Sequence, residues 1–281
     1  MLAFVTSAAG VQVPAIIYGT AWKREKTAGL VTQAIVRGFR GVDTACQPKH
    51  YDEGGVGAGV AASLGRGLSR SDLYLQTKFT PVSGHDPNRI PYDPKTPVAR
   101  QVSESFSTSL RNLRTDFLDC LILHSPLTTF QQTQEAWRAM ESLVDSGAVR
   151  QIGISNCYNP GDLEALYLAA RVKPAIVQNR FYAATGHDRE IRSFCRERQM
   201  LYQSFWTLSA NGQLLAHPTV VALATAHSRT PAQLLFRFLT QIGVVPLTGT
   251  QSEAHMAEDL AIFDFEIARE DLKAIDGLLS P

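Results

Sequence analysis

The sequence lacks several features that would narrow its function at once. Its 281 residues carry a net charge of only +1, which gives no reason to expect nucleic acid or an acidic membrane as a partner. No stretch approaches the ~18 consecutive apolar residues of a transmembrane helix. The N-terminus also lacks the basic and apolar regions of a signal peptide. These absences predict a cytoplasmic protein without a membrane partner.

Cysteine is scarce as well, and its distribution argues against both disulfides and a metal site. The four cysteines are Cys46, Cys120, Cys157 and Cys195. They are scattered without the paired spacing of metal ligands, so we expect reduced thiols, some of them in the core. No Pro/Gly/Ser-rich linker and no internal repeat divides the chain. Residues 1–281 are therefore predicted to form a single domain without a metal ion.

What the chain does contain is a regular alternation of short apolar strands and amphipathic helices. Its composition, 44% hydrophobic and 19% charged, is that of an ordinary globular protein. Eight strands that are each followed by a helix, in a chain of this length, are typical of a (β/α)₈ TIM barrel of the α/β class. The candidate strands are residues 16–19, 41–43, 73–77, 117–123, 151–155, 176–179, 201–205 and 244–248.

Two further segments carry local predictions. Residues 1–14, with Gly10 in the turn, are expected to form a small hairpin that closes the bottom of the barrel. Residues 79–95 form the longest irregular segment, contain four prolines and follow the third strand. A loop of that length in a compact domain is usually functional or disordered, and its position places it on the face where barrel active sites lie.

Polar side chains stand at or just after the ends of three apolar strands. Asp43, Lys78 and His124 end such strands, and Tyr51 follows Asp43 by eight positions. Each residue alone could have a purely structural role, because polar residues are common at strand ends and a single histidine is more often a hydrogen-bonded core residue. Together, a carboxylate, an ammonium, a phenol and an imidazole on one rim predict catalysis. They could protonate a carbonyl oxygen while a hydride reaches its carbon.

The chain resembles the aldo-keto reductase family over nearly its whole length. The matching segments are Gly19-Thr20-Ala21-Trp22-Lys23, Gly41-Val42-Asp43-Thr44-Ala45, Leu75-Gln76-Thr77-Lys78, Asp116-Phe117-Leu118-Asp119, Leu123-His124, Gly153-Ile154-Ser155-Asn156, Val177-Gln178-Asn179 and Phe263-Asp264-Phe265-Glu266. The resemblance implies a nicotinamide cofactor across the C-terminal rim of the barrel, without a Rossmann domain. It also implies that Asp43, Tyr51, Lys78 and His124 are the catalytic residues.

The position of the tyrosine departs from the family's commonest pattern, in which it follows the aspartate by about five residues. Here the gap is eight, with Gln47-Pro48-Lys49 as the apparent insertion. A subgroup with Lys-His-Tyr is similar, so Tyr51 is the predicted proton donor and His50 its competitor. A free tyrosine has a pKa of about 10 and is a poor acid at neutral pH. We therefore expect Lys78, held by Asp43, to lower the pKa of Tyr51.

The resemblance also implies residues that bind the cofactor and the substrate. The implied cofactor-binding residues are Gly19, Thr20, Ala21, Asp43, Ser155, Asn156, Gln178, Phe205, Trp206, Leu208, Thr248, Gly249, Thr250, His255 and Asp259. The implied substrate-binding residues are Trp22, Tyr51, Phe79, His124 and Trp206. The two tryptophans could instead be packing residues, although both follow strand ends, where a pocket wall is expected.

The segment after the eighth strand bears on the choice of cofactor. Family members often carry Pro-Lys-Ser and then an arginine that holds the 2′-phosphate of NADP, whereas residues 246–255 contain no lysine or arginine. The hydroxyl groups of Thr248, Thr250 and Ser252 and the backbone amides at the start of the following helix could still bind a phosphate. The predicted cofactor is therefore NADPH, with NADH possible because a guanidinium fork is missing.

Other functions fit the sequence less well than a reductase does. Gly57-Ala58-Gly59-Val60-Ala61-Ala62 matches a dinucleotide fingerprint, but no strand precedes it and no acidic strand end follows about 20 residues later. A barrel hydrolase would need paired carboxylates or metal ligands at the rim, and no convincing set is present. The sequence thus predicts an NAD(P)H-dependent reductase of a small aldehyde or ketone, as a monomer or weak homodimer. A cofactor-binding regulatory subunit with little turnover is the alternative.

Overall fold

Eight short parallel strands close into a barrel in the computed structural model, which describes residues 3–279. This confirms the predicted (β/α)₈ fold. An antiparallel hairpin, β1 (Phe4–Thr6) and β2 (Gln12–Pro14), precedes the barrel. The barrel strands are β3 (Ile17–Gly19), β4 (Gly41–Asp43), β5 (Tyr74–Phe79), β6 (Cys120–Leu123), β7 (Ile152–Ser155), β8 (Ile176–Arg180), β9 (Leu201–Phe205) and β10 (Val244–Thr248). Closure occurs where β10 pairs with β3.

Helices surround the barrel and connect its strands. They are α1 (Thr27–Arg37), α2 (Glu53–Leu64), α3 (Val98–Leu113), α4 (Phe130–Asp145), α5 (Pro160–Ala169), α6 (Arg189–Glu197), α7 (Gly212–Leu215), α8 (Pro218–Ala226), α9 (Pro231–Gln241), α10 (Glu253–Leu260) and α11 (Arg269–Leu278). Several begin at a residue whose side chain caps the first turn. The side chain of Thr230 caps α9 and forms a capping box with Gln233, and Pro231 occupies the first helical position. Between residues 3 and 279, no helix combines the length and hydrophobicity of a membrane span.

Side-chain alternation along the strands separates the barrel interior from the layer between strands and helices. In β5, Tyr74 belongs to the apolar cluster inside the barrel, whereas Leu75 and Phe79 belong to the larger outer core. Lys78 is therefore directed inward and Phe79 outward, since successive side chains of a strand point to opposite faces. The ring of Phe79, only 1% exposed, packs 5.6 Å from that of Tyr92. The prediction that Phe79 contacts substrate is wrong for this reason.

The N-terminal hairpin has the predicted form. Gly10 lies in the turn with a φ of 77°, a left-handed conformation that glycine adopts without strain. Val13 of β2 belongs to the interior cluster with Ile17 and Val245. The hairpin thus covers the N-terminal end of the barrel, opposite the ends that carry the candidate site. Met1 and Leu2, which the sequence prediction included, lie outside the described residues.

Three predicted strands, residues 41–43, 201–205 and 244–248, match the observed bounds, and two others differ by more than one residue at an end. The third strand extends to Phe79, so Lys78 lies within it rather than after it. The fourth begins only at Cys120, because Leu118 pairs with Val149 as an isolated bridge.

The dinucleotide-like motif at residues 57–62 is part of a helix that packs closely against its neighbours. Gly57 of α2 faces α3 so closely that a Cβ atom would collide with the carbonyl oxygen of Asn112. A Cβ on Gly59 would come within 2.7 Å of the carbonyl oxygen of Ala28 in α1. These glycines allow three helices to approach one another, which accounts for the motif without a nucleotide.

Candidate active site

A buried ion pair at the mouth of the barrel is the centre of the candidate site. Lys78, 1% exposed, donates from Nζ to both carboxylate oxygens of Asp43 at 2.7 Å and to the carbonyl oxygen of Thr44 at 2.8 Å. The two side chains meet because β4 and β5 are neighbours in the barrel. Burial lowers the pKa of Lys78, and the carboxylate of Asp43 opposes that shift. A charged pair in such a position is expensive unless it is well compensated or functional.

Three glutamines form a hydrogen-bonded layer beneath this pair. Gln76 and Gln178 each donate from Nε2 to Oδ1 of Asp43, at 2.7 and 3.0 Å. Both also donate to Oε1 of Gln203 at 2.9 Å, and Gln203 donates back to Gln76 at 3.1 Å. Sequence reasoning missed Gln76 and Gln203. Gln76 could have been found from its spacing, because it stands two residues before Lys78 and therefore lies on the same face of the strand.

Tyr51 reaches the ion pair despite the longer gap after Asp43. The backbone amides of His50 and Tyr51 both donate to the carbonyl oxygen of Gln47, at 3.2 and 3.1 Å. This turn absorbs the inserted residues and places Nζ of Lys78 5.2 Å from the centre of the tyrosine ring. The ring of His124 meets that of Tyr51 edge-on at 6.0 Å. The four predicted catalytic side chains are therefore brought together.

The competing residue His50 has a different environment. Its ring lies 3.9 Å from that of Trp22, centre to centre, and its Nδ1 is buried without a hydrogen-bond partner among residues 3–279. Burial lowers the pKa of His50, and the positive charge of Lys49 lowers it further. The ring of His50 thus contacts the exposed Trp22. Tyr51 remains the phenol beside the ion pair.

The protonation of Tyr51 differs from the sequence prediction. Burial, and then the negative charge of Asp43, raise the pKa of its hydroxyl above the usual value of 10.0. The expected lowering by Lys78 is not observed because Asp43 largely neutralises that ammonium at close range. The resting side chain is consequently a neutral phenol, which is the form that can give up a proton.

His124 is held in a fixed orientation at the same mouth. Its Nδ1 lies 2.7 Å from the hydroxyl oxygen of Thr80. Burial, the charge of Lys78 and the neighbouring His85 hold the pKa of His124 well below 6.5. The imidazole is therefore neutral at physiological pH and carries one N–H group. Nε2 is the ring nitrogen left to meet a substrate oxygen.

The residues implied for the nicotinamide carboxamide lie at the ends of two adjacent strands. Ser155 ends β7, and Gln178 is its register partner on β8. Asn156 adopts a left-handed backbone with a φ of 52° and donates from Nδ2 to the carbonyl oxygen of His124 at 2.8 Å. Phe205 at the end of β9 packs against the interior cluster and is partly exposed at the mouth. An amide cradle and an aromatic ring thus adjoin the four catalytic candidates.

Three residues around this cleft have a strained backbone. Trp22, Asn156 and Trp206 have φ values of 63°, 52° and 58° and each follows a barrel strand. Such conformations cost free energy in residues other than glycine and cluster at functional sites. Trp22 and Trp206 are also 52% and 49% exposed, although they are large aromatic residues. Their exposure favours the pocket-wall interpretation over core packing.

The segment after β10 is arranged differently from the prediction. Thr248 turns away from the interior and donates its hydroxyl to Asp259 at 2.6 Å, and both side chains are buried. Burial raises the pKa of Asp259 to about 6. The hydroxyl of Thr248 is therefore occupied rather than offered to a phosphate. Thr250, which accepts the amide of Ser252 at 3.1 Å, and the exposed Gly249 and His255 remain on the surface of this segment.

A lysine from another loop supplies the positive charge that this segment lacks. Lys23, which follows β3, donates from Nζ to the carbonyl oxygen of Gly249 and is 4% exposed. Burial lowers the pKa of Lys23 to about 8. Sequence reasoning looked for a cation only after the eighth strand and missed this one. The pairing of β10 with β3 on closure of the barrel brings the two loops together.

The other implied cofactor residues line the same rim. Thr20 is buried, and its backbone amide and its hydroxyl both donate to the carbonyl oxygen of Asp43, at 3.0 and 2.9 Å. Gly19 and Ala21 flank it and are partly exposed. Leu208 packs against the outer core in the turn after β9. Among residues 3–279, no group of three or more His, Cys, Asp or Glu side chains is placed to hold a metal ion.

A comparison with known families agrees with this geometry. Residues 15–202 match the model of the aldo/keto reductase family. The chain belongs to the aldo/keto reductase family. It is therefore an oxidoreductase, and members of this family use NAD(P)H.

Individual relatives cover nearly the whole chain. A glyoxal reductase of Bacillus subtilis is 32% identical over 249 residues, which are 88% of this chain and 82% of the relative. A probable NAD(P)H-dependent D-xylose reductase of Emericella nidulans is 31% identical over 307 aligned positions, covering 96% and 91%. The crystal structure of an aldo/keto reductase from Brucella melitensis superimposes with a TM-score of 0.84 at 28% identity, covering 99% of this chain and 100% of the other.

Proposed function

We propose that this aldo/keto reductase reduces a small aldehyde or ketone to an alcohol with NAD(P)H, and that Tyr51 is the general acid. The observation that carries the proposal is the buried Lys78–Asp43 pair with the ring of Tyr51 on one side and His124 against that ring. A structural role alone does not explain an ion pair, a phenol and a neutral imidazole that converge on one open mouth. The named activities of the relatives, reduction of glyoxal and of D-xylose, belong to the same reaction class.

The catalytic residues would act on the carbonyl oxygen. His124, neutral and held by Thr80, would donate a hydrogen bond from Nε2 and orient the carbonyl group. Tyr51 would transfer its phenolic proton to the oxygen as negative charge develops there. The ammonium of Lys78 beside the ring would stabilise the phenolate that remains, since an opposite charge nearby favours the ionised form. Asp43 and the glutamine layer would keep that ammonium in place.

The rim has a donor set that suits a nicotinamide dinucleotide. Ser155, Asn156 and the Oε1 atom of Gln178 would bind the carboxamide, and the ring of Phe205 would carry the nicotinamide. The cofactor supplies the hydride. Lys23 would meet a phosphate near Gly249, with the amides before α10 as further donors. No lysine or arginine lies in residues 246–255. We therefore propose NADPH as the preferred cofactor, with a smaller advantage over NADH than a guanidinium would give.

The proposal extends to the domain organisation and the cellular environment of the enzyme. Residues 1–281 would act as one catalytic domain on a small carbonyl compound, as a monomer or weak homodimer in the cytoplasm. A cofactor-binding regulatory subunit with little turnover is the rival. The intact set of four catalytic side chains favours an enzyme.

The decisive experiment measures NADPH and NADH oxidation with a panel of aldehydes and ketones. We expect turnover with several carbonyl compounds and a lower Kd for NADPH than for NADH by fluorescence titration. Tight cofactor binding without turnover on any carbonyl compound would favour the regulatory subunit. Equal affinity for the two cofactors would overturn the NADPH preference and leave hydride transfer in place.

A further inference from the structure

An arginine at the mouth of the barrel is held firmly but has no anionic partner among residues 3–279. Arg180 ends β8, two residues after Gln178. Gln178 points inward to Asp43, and Asn179 points outward to Asp188 at 2.7 Å. The alternation returns the side chain of Arg180 to the inner side, at the open end of the barrel. Its register partner on β9 is Phe205, which is also directed inward.

Aromatic rings fix the guanidinium in this position. Its Cζ atom lies 4.1 Å from the ring centre of Trp206 and 5.2 Å from that of Tyr182. Its Nε is buried and makes no hydrogen bond to residues 3–279. No carboxylate of those residues forms an ion pair with it, whereas Arg70 and Arg150 both pair with Asp119. An arginine stacked in this way loses little further conformational entropy on binding and keeps its planar fork for an oxyanion.

The location of Arg180 indicates which oxyanion it meets. In the barrel order, β8 lies four strands from β4 in either direction, so Arg180 stands opposite the loop that carries Tyr51. A carbonyl group at Tyr51 would therefore lie across the mouth from Arg180, and a nicotinamide held on Phe205 would lie between them. The anionic groups on the side of Phe205 would then be those of the cofactor.

We propose that Arg180 binds the diphosphate of the cofactor, at the phosphate on the nicotinamide side. This rests on the proposed function. A dinucleotide that extends from Gln178 on β8 to Gly249 after β10 would cross the end of β9, where Trp206 lies and carries the guanidinium of Arg180 on its ring. Lys23 would then meet the diphosphate from the β10 side and Arg180 from the β8 side. Two cations from other loops would thus hold the diphosphate, which NADPH and NADH share.

Calorimetric titration of ligand fragments tests this assignment without turnover. We expect Arg180→Met to weaken NADPH, NADH and ADP-ribose by the same factor, roughly tenfold or more, because a hydrogen bond to a charged group is lost. AMP, which lacks the nicotinamide-side phosphate, should bind as it does to the native protein. Arg180→Lys should retain part of the affinity. Arg171→Met is the control, since that arginine is exposed and pairs with Asp145 outside the barrel.

Several outcomes would overturn the proposal. Unchanged ADP-ribose affinity in folded Arg180→Met would exclude the diphosphate. A substrate role would show as unchanged cofactor affinity together with a selective loss of kcat/KM for 2-, 3- and 4-carboxybenzaldehyde relative to their methyl esters. If the native protein bound neither dinucleotide nor ADP-ribose, the proposed function itself would fail, which is distinguishable from a variant that matches the native protein.

Discussion

The hydroxyl oxygen of Thr80 lies 2.7 Å from Nδ1 of His124, directly above the strand that carries Lys78. The loop of residues 79–95 holds Thr80 in place, because its carbonyl oxygen accepts from Tyr92 at 2.7 Å and lies 3.0 Å from Nε2 of His85. We expect the hydroxyl of Thr80 to donate to Nδ1, which leaves the single imidazole proton on Nε2. The loop would thereby determine which histidine nitrogen can donate to a substrate oxygen.

Thr80→Val should therefore lower kcat by roughly 10-fold or more while cofactor affinity stays near that of the native protein. Valine keeps the shape and removes the hydroxyl, so the imidazole loses its preferred tautomer and orientation. Thr80→Ser should restore most of the rate. Tyr92→Phe is a matched control, because it removes a bond to the same Thr80 carbonyl without touching the imidazole. Equal losses in Tyr92→Phe and Thr80→Val would mean that only loop packing matters.

Tyr51→Phe tests the proton donor. We expect kcat to fall by about 10² or more, since general-acid catalysis typically contributes roughly 10²–10⁴-fold, while NADPH binding is nearly unchanged. The raised pKa of Tyr51 keeps the phenol protonated throughout the neutral range, so its ionisation should not reduce activity between about pH 6 and 9. A normal rate in Tyr51→Phe, combined with an inactive His50→Ala, would identify His50 as the donor.

Lys78→Met should abolish most activity, and Lys78→Arg should not restore it. The ammonium fits between both oxygens of Asp43 and the carbonyl oxygen of Thr44, a space that a wider guanidinium does not match. Steady-state rates and melting temperatures of both variants should be compared, because removal of one partner of a buried ion pair also destabilises the fold. A near-native rate in a folded Lys78→Arg would show that the amine itself is dispensable.

Much of the site could be predicted because it depends on strand periodicity. Asp43, Lys78 and His124 lie at or next to the ends of strands. A parallel barrel brings such ends together regardless of the conformation of its loops. Thr80, Lys23 and Arg180 were missed because their roles arise from contacts between loops or strands that are distant in sequence. Phe79 was misassigned because the strand extends past residue 77, so the alternation continues and directs Phe79 outward, opposite to Lys78.

Gly57 provides a test of the fold rather than of the chemistry. Gly57→Ala should destabilise the protein by about 1–3 kcal/mol, because the added methyl group collides with the backbone of α3 at Asn112. Gly54→Ala in the same helix is the control, since the closest atom to its added Cβ is a side-chain oxygen of Asp52 at 3.5 Å. That change should be neutral or stabilising, as alanine favours a helix over glycine. Thermal unfolding of both variants separates packing from helix propensity.

The pH dependence of cofactor binding should report on Lys23. Its pKa is lowered to about 8 by burial, so the free protein carries this charge below about pH 8 and loses it above. The Kd for NADH should therefore rise as pH increases through that value, because a neutral amine no longer attracts the diphosphate. NADH is the ligand of choice because it lacks a 2′-phosphate that titrates near neutrality. Lys23→Met should bind NADH weakly at every pH, whereas Lys23→Arg, charged throughout, should bind it without pH dependence. A native Kd that is constant from pH 6 to about pH 10 would show that Lys23 serves only to hold the loop at Gly249.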